Sequence, residues 1–126
     1  METQHRFDVT IILPIRNDEQ LLKSLLMAIN NQTFLPGKIV IVDSSTNDTA
    51  KDIVAEYDDT VPIVYHRVIK AYPGKARNIG VNLSNCEWVA FLDSKTIPEE
   101  DWLERYQHLV QAYHVDAVFG VTQFDA

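Results

Sequence analysis

Two aspartates stand where short apolar runs stop. Asp43 follows Ile39-Val40-Ile41-Val42, and Asp93 follows Trp88-Val89-Ala90-Phe91-Leu92. A carboxylate at the tip of such a run either caps the turn that follows or accepts the N–H edge of a bound ring, and both readings stay open for Asp43. Asp43 also opens the polar cluster Asp43-Ser44-Ser45-Thr46-Asn47-Asp48. Lys75 and Arg77 follow Tyr72-Pro73-Gly74, near the start of a predicted helix, where the macrodipole disfavours cations unless an anion sits close. A bound diphosphate would remove that penalty, and solvation of both side chains would keep it small. Asn78, beside them, serves equally as a helix residue bonded to the neighbouring loop. His5, His66, His108 and His114 show no metal spacing, since 108 and 114 fall on different helix faces. The single Cys86 excludes an internal disulfide and a thiolate zinc site.

The hydrophobic pattern indicates the scaffold that must hold these groups. Val9 to Leu13 reads as a buried strand stopped by Pro14. Asn17 with Gln20 has capping-box spacing, and Leu21, Leu22, Leu25, Leu26 and Ile29 then mark one helix face, ended by Asn30, Asn31 and Pro36-Gly37. Ile39 to Val42 is a second strand. Asp48 or Thr49 caps a second helix that turns Ile53, Val54 and Tyr57 to the sheet. Pro62 to Val68 reads as a third strand, followed by a helix carrying Ala76, Ile79, Gly80 and Leu83. Trp88 to Leu92 is a fourth strand. A last helix is expected from Thr96–Glu99, with Pro98 in its first turn and Trp102, Leu103, Tyr106, Leu109, Val110 and Tyr113 buried, before a fifth strand over Ala117–Val121.

Strands that are apolar on both faces and alternate with helices predict an α/β domain: a mainly parallel twisted sheet flanked by helices, Rossmann-like in kind. With the first strand central, the second and third to one side and the fourth to the other, a crevice opens at the switch point between strands one and four. The loops above it are Pro14–Asn17, Asp43–Asp48 and Asp93–Thr96.

Length and composition fit this picture. At 126 residues, 46% hydrophobic and 23% charged, the chain is sized for one compact domain over 1–126. Eighteen acidic against eleven basic residues give a net charge of -7, with the cations scattered, so nucleic acid is not an expected partner. The polar start and the lack of any membrane-length apolar run lead to the expectation of a cytoplasmic chain with no span of its own, membrane association of a longer protein being left open.

The residues then resemble glycosyltransferase family 2. Ile11-Ile12-Leu13-Pro14-Ile15-Arg16-Asn17 is similar to that family's opening strand and Asn-bearing loop, and Val42-Asp43-Ser44-Ser45-Thr46-Asn47-Asp48 to its Val-Asp-Asp-Gly-Ser-Thr-Asp loop. Gly74-Lys75-Ala76-Arg77-Asn78-Ile79-Gly80 resembles its Ala-Arg-Asn-x-Gly segment, and Phe91-Leu92-Asp93-Ser94-Lys95 its Phe-Leu-Asp-x-Asp motif. The four motifs come in the family's order across residues 8–122.

The resemblance implies a GT-A fold, here its nucleotide-sugar-binding half, cut before the acceptor-binding half. It implies transfer of a sugar, with inversion, from a nucleotide-sugar donor to an acceptor such as a glycan or lipid-linked glycan, as in polysaccharide biosynthesis. Pro14, Arg16, Asn17, Asp43 and Ser45 would face the nucleotide from the first two loops, Asp43 pairing with the base. Lys75, Arg77 and Lys95 would meet the diphosphate, with Asn78 and Asp93 also among the donor-binding residues. Asp93 matches the first aspartate of the family's Mg²⁺- or Mn²⁺-binding pair, but Lys95 stands in place of the second, and Ser44 where the loop usually carries an acid. A protonated ammonium cannot ligate a cation, so metal dependence is in question. The catalytic base is expected in the half that follows, and the uncovered surface suggests self-association.

Two other readings compete. The missing acids also suit a non-catalytic nucleotide-binding module. A phosphoacceptor receiver domain shares the five-stranded α/β pattern but needs an acidic pair directly after its first strand, where this chain has Pro14-Ile15-Arg16.

Overall fold

The computed structural model describes residues 5–57, 60–70, 73–113 and 116. In chain order the elements are β1 (His5–Ile15), α1 (Glu19–Asn30), β2 (Phe34–Asp43), α2 (Thr49–Glu56), β3 (Ile63–Arg67), α3 (Pro73–Leu83), β4 (Trp88–Phe91) and α4 (Trp102–Tyr113). The strands form one parallel sheet in the order β3-β2-β1-β4, with Ile11 opposite both Ile39 and Ala90, and Ile41 opposite Tyr65. This is the expected order, with the direction of winding reversing at β1. The fifth strand expected over 117–121 lies outside the described residues.

The two faces of the sheet are covered unequally. On one face, Val9, Ile11, Leu13 and Ile15 of β1 and Ile39 and Ile41 of β2 pack against Leu22, Leu25, Leu26 and Ile29 of α1, with Ala50 of α2 and Leu103 of α4 completing the core. On the other, α3 lays Ala76, Ile79 and Leu83 against Val40, Val42 and Val64. Gly80 brings α3 close to β1: a Cβ there would stand 2.4 Å from Ile12 Cγ2. Ser84 donates to buried Thr10 (2.9 Å), and Lys38 Nζ donates to the Leu83 carbonyl at 3.0 Å, supplying the cation that the last turn of α3 lacks.

Several sequence expectations are corrected by long-range contacts. Pro14 does not stop β1, which continues to Ile15. The Ile12 carbonyl accepts Leu92 N and the Ile15 carbonyl accepts Ser44 N, so by alternation Pro14 faces the β4 side, where the strand has already ended and no ladder donor is missed. Pro36-Gly37, expected to close the first helix, lies within β2, beside the register shift between Phe7 and Thr10.

Asn17 is not the cap of α1; Asp18 holds that position, without a side-chain cap bond, because Asn17 is drawn into another loop. Asp48 precedes α2 with its carboxylate on Arg67, while Asn47 Oδ1 takes the Thr49 amide at 3.0 Å.

The last helix begins at Trp102, leaving Pro98 outside it. Residues 92–101 form no regular element, and buried Gln32 organises their far end: Nε2 donates to the Glu99 carbonyl (2.6 Å) and Oε1 accepts the Leu103 amide (3.1 Å). The Thr33 amide donates to the Glu100 carbonyl at 2.8 Å. Gln32 thus caps α4 from more than sixty residues away.

The apolar faces of the helices are also narrower than their periodicity suggests. Leu21 is 39%, Leu109 37% and Tyr113 70% exposed. β3 and β4, expected to be apolar on both faces, hold the edge places that the expected order gives them and are only half-buried to exposed, with Phe91 half exposed.

Candidate donor-binding crevice

Parallel strands deliver their loops to one edge of the sheet, and hydrogen bonds lock three of these loops together. Asn17 adopts a left-handed backbone (φ 56°), a conformation that asparagine tolerates better than most side chains. The strain sets its amide to donate to Ser45 Oγ (2.8 Å) and its Oδ1 to accept the Thr46 amide (3.1 Å) and hydroxyl (3.3 Å). Ser94, buried, donates its hydroxyl to Asp18 Oδ2 at 3.1 Å. The segment 17–18 therefore joins the loop after β2 to the loop after β4.

Asp43 is fully buried at the end of β2. Its Oδ1 accepts the Ser45 amide at 2.9 Å, an Asx turn, and its Oδ2 accepts the Tyr65 hydroxyl. Burial first, and then the bond to Asp43, push the Tyr65 phenol well above its ordinary range. The carboxylate thus caps its turn, as one of the two readings expected. Two engaged oxygens still leave lone pairs, since a carboxylate has about four acceptor sites.

Sequence reasoning missed Tyr65 and Arg67, two residues apart on one face of β3. Arg67 donates through Nη1 to Asp48 and through Nη2 to the carbonyls of Asn47 (2.8 Å) and Ser45 (3.2 Å). Its bond to Asp48 raises its already high pKa. The available signal was a cation and a phenol at alternate positions beside a strand-end acid. An open groove of about 440 Å³, lined by Ser45, Thr46, Arg67, Val68 and Ile69, lies over the ends of β2 and β3. It is displaced by one strand from the β1–β4 switch point.

Toward that switch point, α3 presents Lys75, Arg77 and Asn78, all exposed. The Arg77 guanidinium carbon lies 5.9 Å from the centroid of the Phe91 ring, which brings the third motif against the strand that carries the fourth. Asp93 is exposed and its Oδ1 accepts the Lys95 amide at 2.9 Å, again an Asx turn. Pro14 is half-buried within β1, and Arg16 is exposed. Among the described residues no three His, Cys, Asp or Glu side chains are gathered to hold a metal ion. Here Asp93 is followed two residues later by an ammonium, so this side-chain set does not fit a two-carboxylate metal site. No described helix is long and apolar enough to cross a membrane.

A parallel α/β sheet with polar loops converging above its switch point defines the class of doubly wound domains that take a ligand in that crevice. Comparison with known proteins narrows this: the sequence profile of glycosyl transferase family 2 matches residues 10–125, and the chain belongs to that family. Glycosyltransferase AglE of Haloferax volcanii is 30% identical over 122 residues, covering 92% of this chain and 40% of that protein. The poly(ribitol-phosphate) beta-glucosyltransferase of Bacillus spizizenii is 26% identical, covering 89% of this chain and 18% of its own length. Among solved structures, S. aureus TarS 1-349 in complex with UDP-GlcNAc superposes with a TM-score of 0.78 at 25% identity, over 93% of this chain and 37% of that one. The GT-A fold expected from the motifs is therefore the fold found. The chain spans less than half the length of these relatives.

Proposed function

We propose that this chain is the donor-binding half of a glycosyltransferase that moves a sugar, with inversion, from a nucleoside-diphosphate sugar to a glycan-type acceptor. The observation that carries the reading is the interlocking of the loops after β1, β2 and β4 through Asn17–Ser45 and Asp18–Ser94, in a chain of this family. It arrays Asn17, Asp43, Ser45 and Asp93 along one edge of the sheet, with Arg77 against Phe91 nearby. TarS, solved with UDP-GlcNAc, supports a uridine donor, and the relatives' names support glycan acceptors. Their greater length supports an acceptor-binding part, with the general base, beyond the described residues.

In this reading Asp43 accepts the N–H edge of the base while Lys75 and Arg77 meet the diphosphate. A divalent ion, where family members use one, offsets the charge of the departing diphosphate. In this chain we assign that charge to Lys95, a compact cation able to pair with phosphate directly, with Asp93 orienting it or accepting a sugar hydroxyl. Amide-shift mapping with UDP and GDP tests the site, and shifts that cluster away from residues 16–18, 43–48, 75–78 and 93–95 would sink it. Asp43→Ala should weaken nucleotide binding by roughly 1–3 kcal/mol. Unchanged affinity would leave Asp43 with its turn alone.

The pairing of Ser44 and Lys95 at positions where the family usually carries acids also favours a second reading, a nucleotide-binding module without turnover. Donor hydrolysis or transfer by the full-length gene product separates the two.

A further inference from the structure

We propose that Arg67 is a positioning residue of the nucleotide site, acting through the loop after β2 and not by contact with the ligand. The inference rests on the donor-site reading above and extends it to a residue outside the four motifs.

Ser45 is held at each of its polar groups: its amide by Asp43 Oδ1, its hydroxyl by the Asn17 amide, and its carbonyl by Arg67 Nη2. A shift of the Ser45 carbonyl therefore moves both the turn that fixes the Asp43 carboxylate and the partner of the left-handed residue after β1. Arg67 fixes that carbonyl together with the Asn47 carbonyl and the Asp48 carboxylate, so its guanidinium donors are turned onto the loop. Thr46, Asn47 and Asp48 are exposed and in no regular element, so the bonds from Asn17 and Arg67 add to the short turns that Asp43 and Asn47 make within the loop. Ordering such a loop only when ligand arrives costs binding free energy, and a pre-set loop avoids that cost. The ion pair is a minor contributor, since Asp48 is 70% exposed and such pairs are screened. The planar fork matters more, because a lysine keeps the charge but has one nitrogen where Arg67 uses two, Nη1 on Asp48 and Nη2 on the carbonyls.

The test is calorimetric titration of UDP into the 126-residue chain, with Arg67→Lys, Asp43→Asn and the double variant. Arg67→Lys should weaken UDP roughly three- to ten-fold, the equivalent of a lost hydrogen bond or two. In the Asp43→Asn background the same change should cost less than about two-fold, because the loop then has no carboxylate to aim. Asp48→Asn, which keeps an acceptor oxygen for Arg67 but removes the charge, should weaken UDP in the same direction but less. It carries the test if Arg67→Lys fails to fold. Full retention of affinity by Arg67→Lys would mean that charge alone suffices, and an equal loss in both backgrounds would mean direct contact. Either outcome overturns the proposal. Failure of the donor-site reading shows separately, as a wild-type chain that binds neither UDP nor GDP. The ligand-free amide resonances of Ser45, Thr46 and Asn47 then decide the positioning role: they shift in Arg67→Lys if it holds, and unshifted resonances refute it.

Discussion

Tyr65 and Asp43 meet across the β2–β3 ladder, the phenol donating to a buried carboxylate. Because the folded protein holds this phenol above its ordinary value of 10.0, the contribution to stability is fully present below about pH 10 and is lost as pH rises toward the folded-state value. Wild type should therefore be more stable than Tyr65→Phe at pH 8, and the gap should narrow as pH rises above 10. Urea melts at several pH values measure the gap, and tyrosinate absorbance should show one of the five tyrosines ionising late. A constant gap across that range would contradict the assignment.

Asn17 combines a strained backbone with three loop bonds, and two substitutions separate these contributions. Asn17→Ala keeps the strain and loses the side-chain acceptor, costing about 2 kcal/mol. Asn17→Gly loses the same acceptor but adopts the left-handed region freely, so it should be the milder change by some tenths to 1 kcal/mol. Denaturant unfolding ranks them, and glycine coming out worse would show that φ is not the constraint.

Gly80→Ala should destabilise by about 1–3 kcal/mol, because its methyl would enter the space of Ile12 Cγ2. Ile12→Ala alone opens a cavity, costing about 2–5 kcal/mol. Combined, the two should be less harmful than their sum, since one fills the space the other leaves. Additive losses would mean that α3 moves away from β1 instead of packing against it.

For Lys95, nucleotide affinity should be indifferent to Mn²⁺ and to chelator in the unmodified chain. Lys95→Ala should lose affinity, and Lys95→Asp should acquire a metal requirement. Strong Mn²⁺ dependence in the unmodified chain would remove the proposed role of the ammonium.

Much of this architecture was legible because its determinants are local. Four apolar runs, each ending in polar residues, give the strands and their loops, and placing the first strand centrally with right-handed crossovers gives the observed β3-β2-β1-β4. What escaped depends on partners distant in sequence. The start of α4 is set by Gln32, whose amide reads as an ordinary polar residue until the fold brings it to Glu99 and Leu103. Pro14 reads as a stop unless it is known that β4 ends beside it. Asp48 and Asn17 carry capping chemistry, but Arg67 and Thr46 claim their side chains first. Tyr65 and Arg67 sit in a stretch, Pro62 to Val68, that the sequence marks only as a strand.

The irregular stretch after β4 has a further consequence. It leaves the ligand edge of the sheet at Asp93 and reaches the opposite edge, where Glu99 and Glu100 meet Gln32 and Thr33 just ahead of β2. Ser94–Asp18 moors one end and the Gln32 clasp moors the other, like a guy-rope of fixed length. A chain can extend by at most about 3.3–3.6 Å per residue, so the reach lost by deleting one residue between Lys95 and Pro98 must come from the turn closed by the Thr96 amide on the Asp93 carbonyl or from the moorings. The height at which Asp93 stands above the sheet is thus set partly by a glutamine at the far end of the molecule.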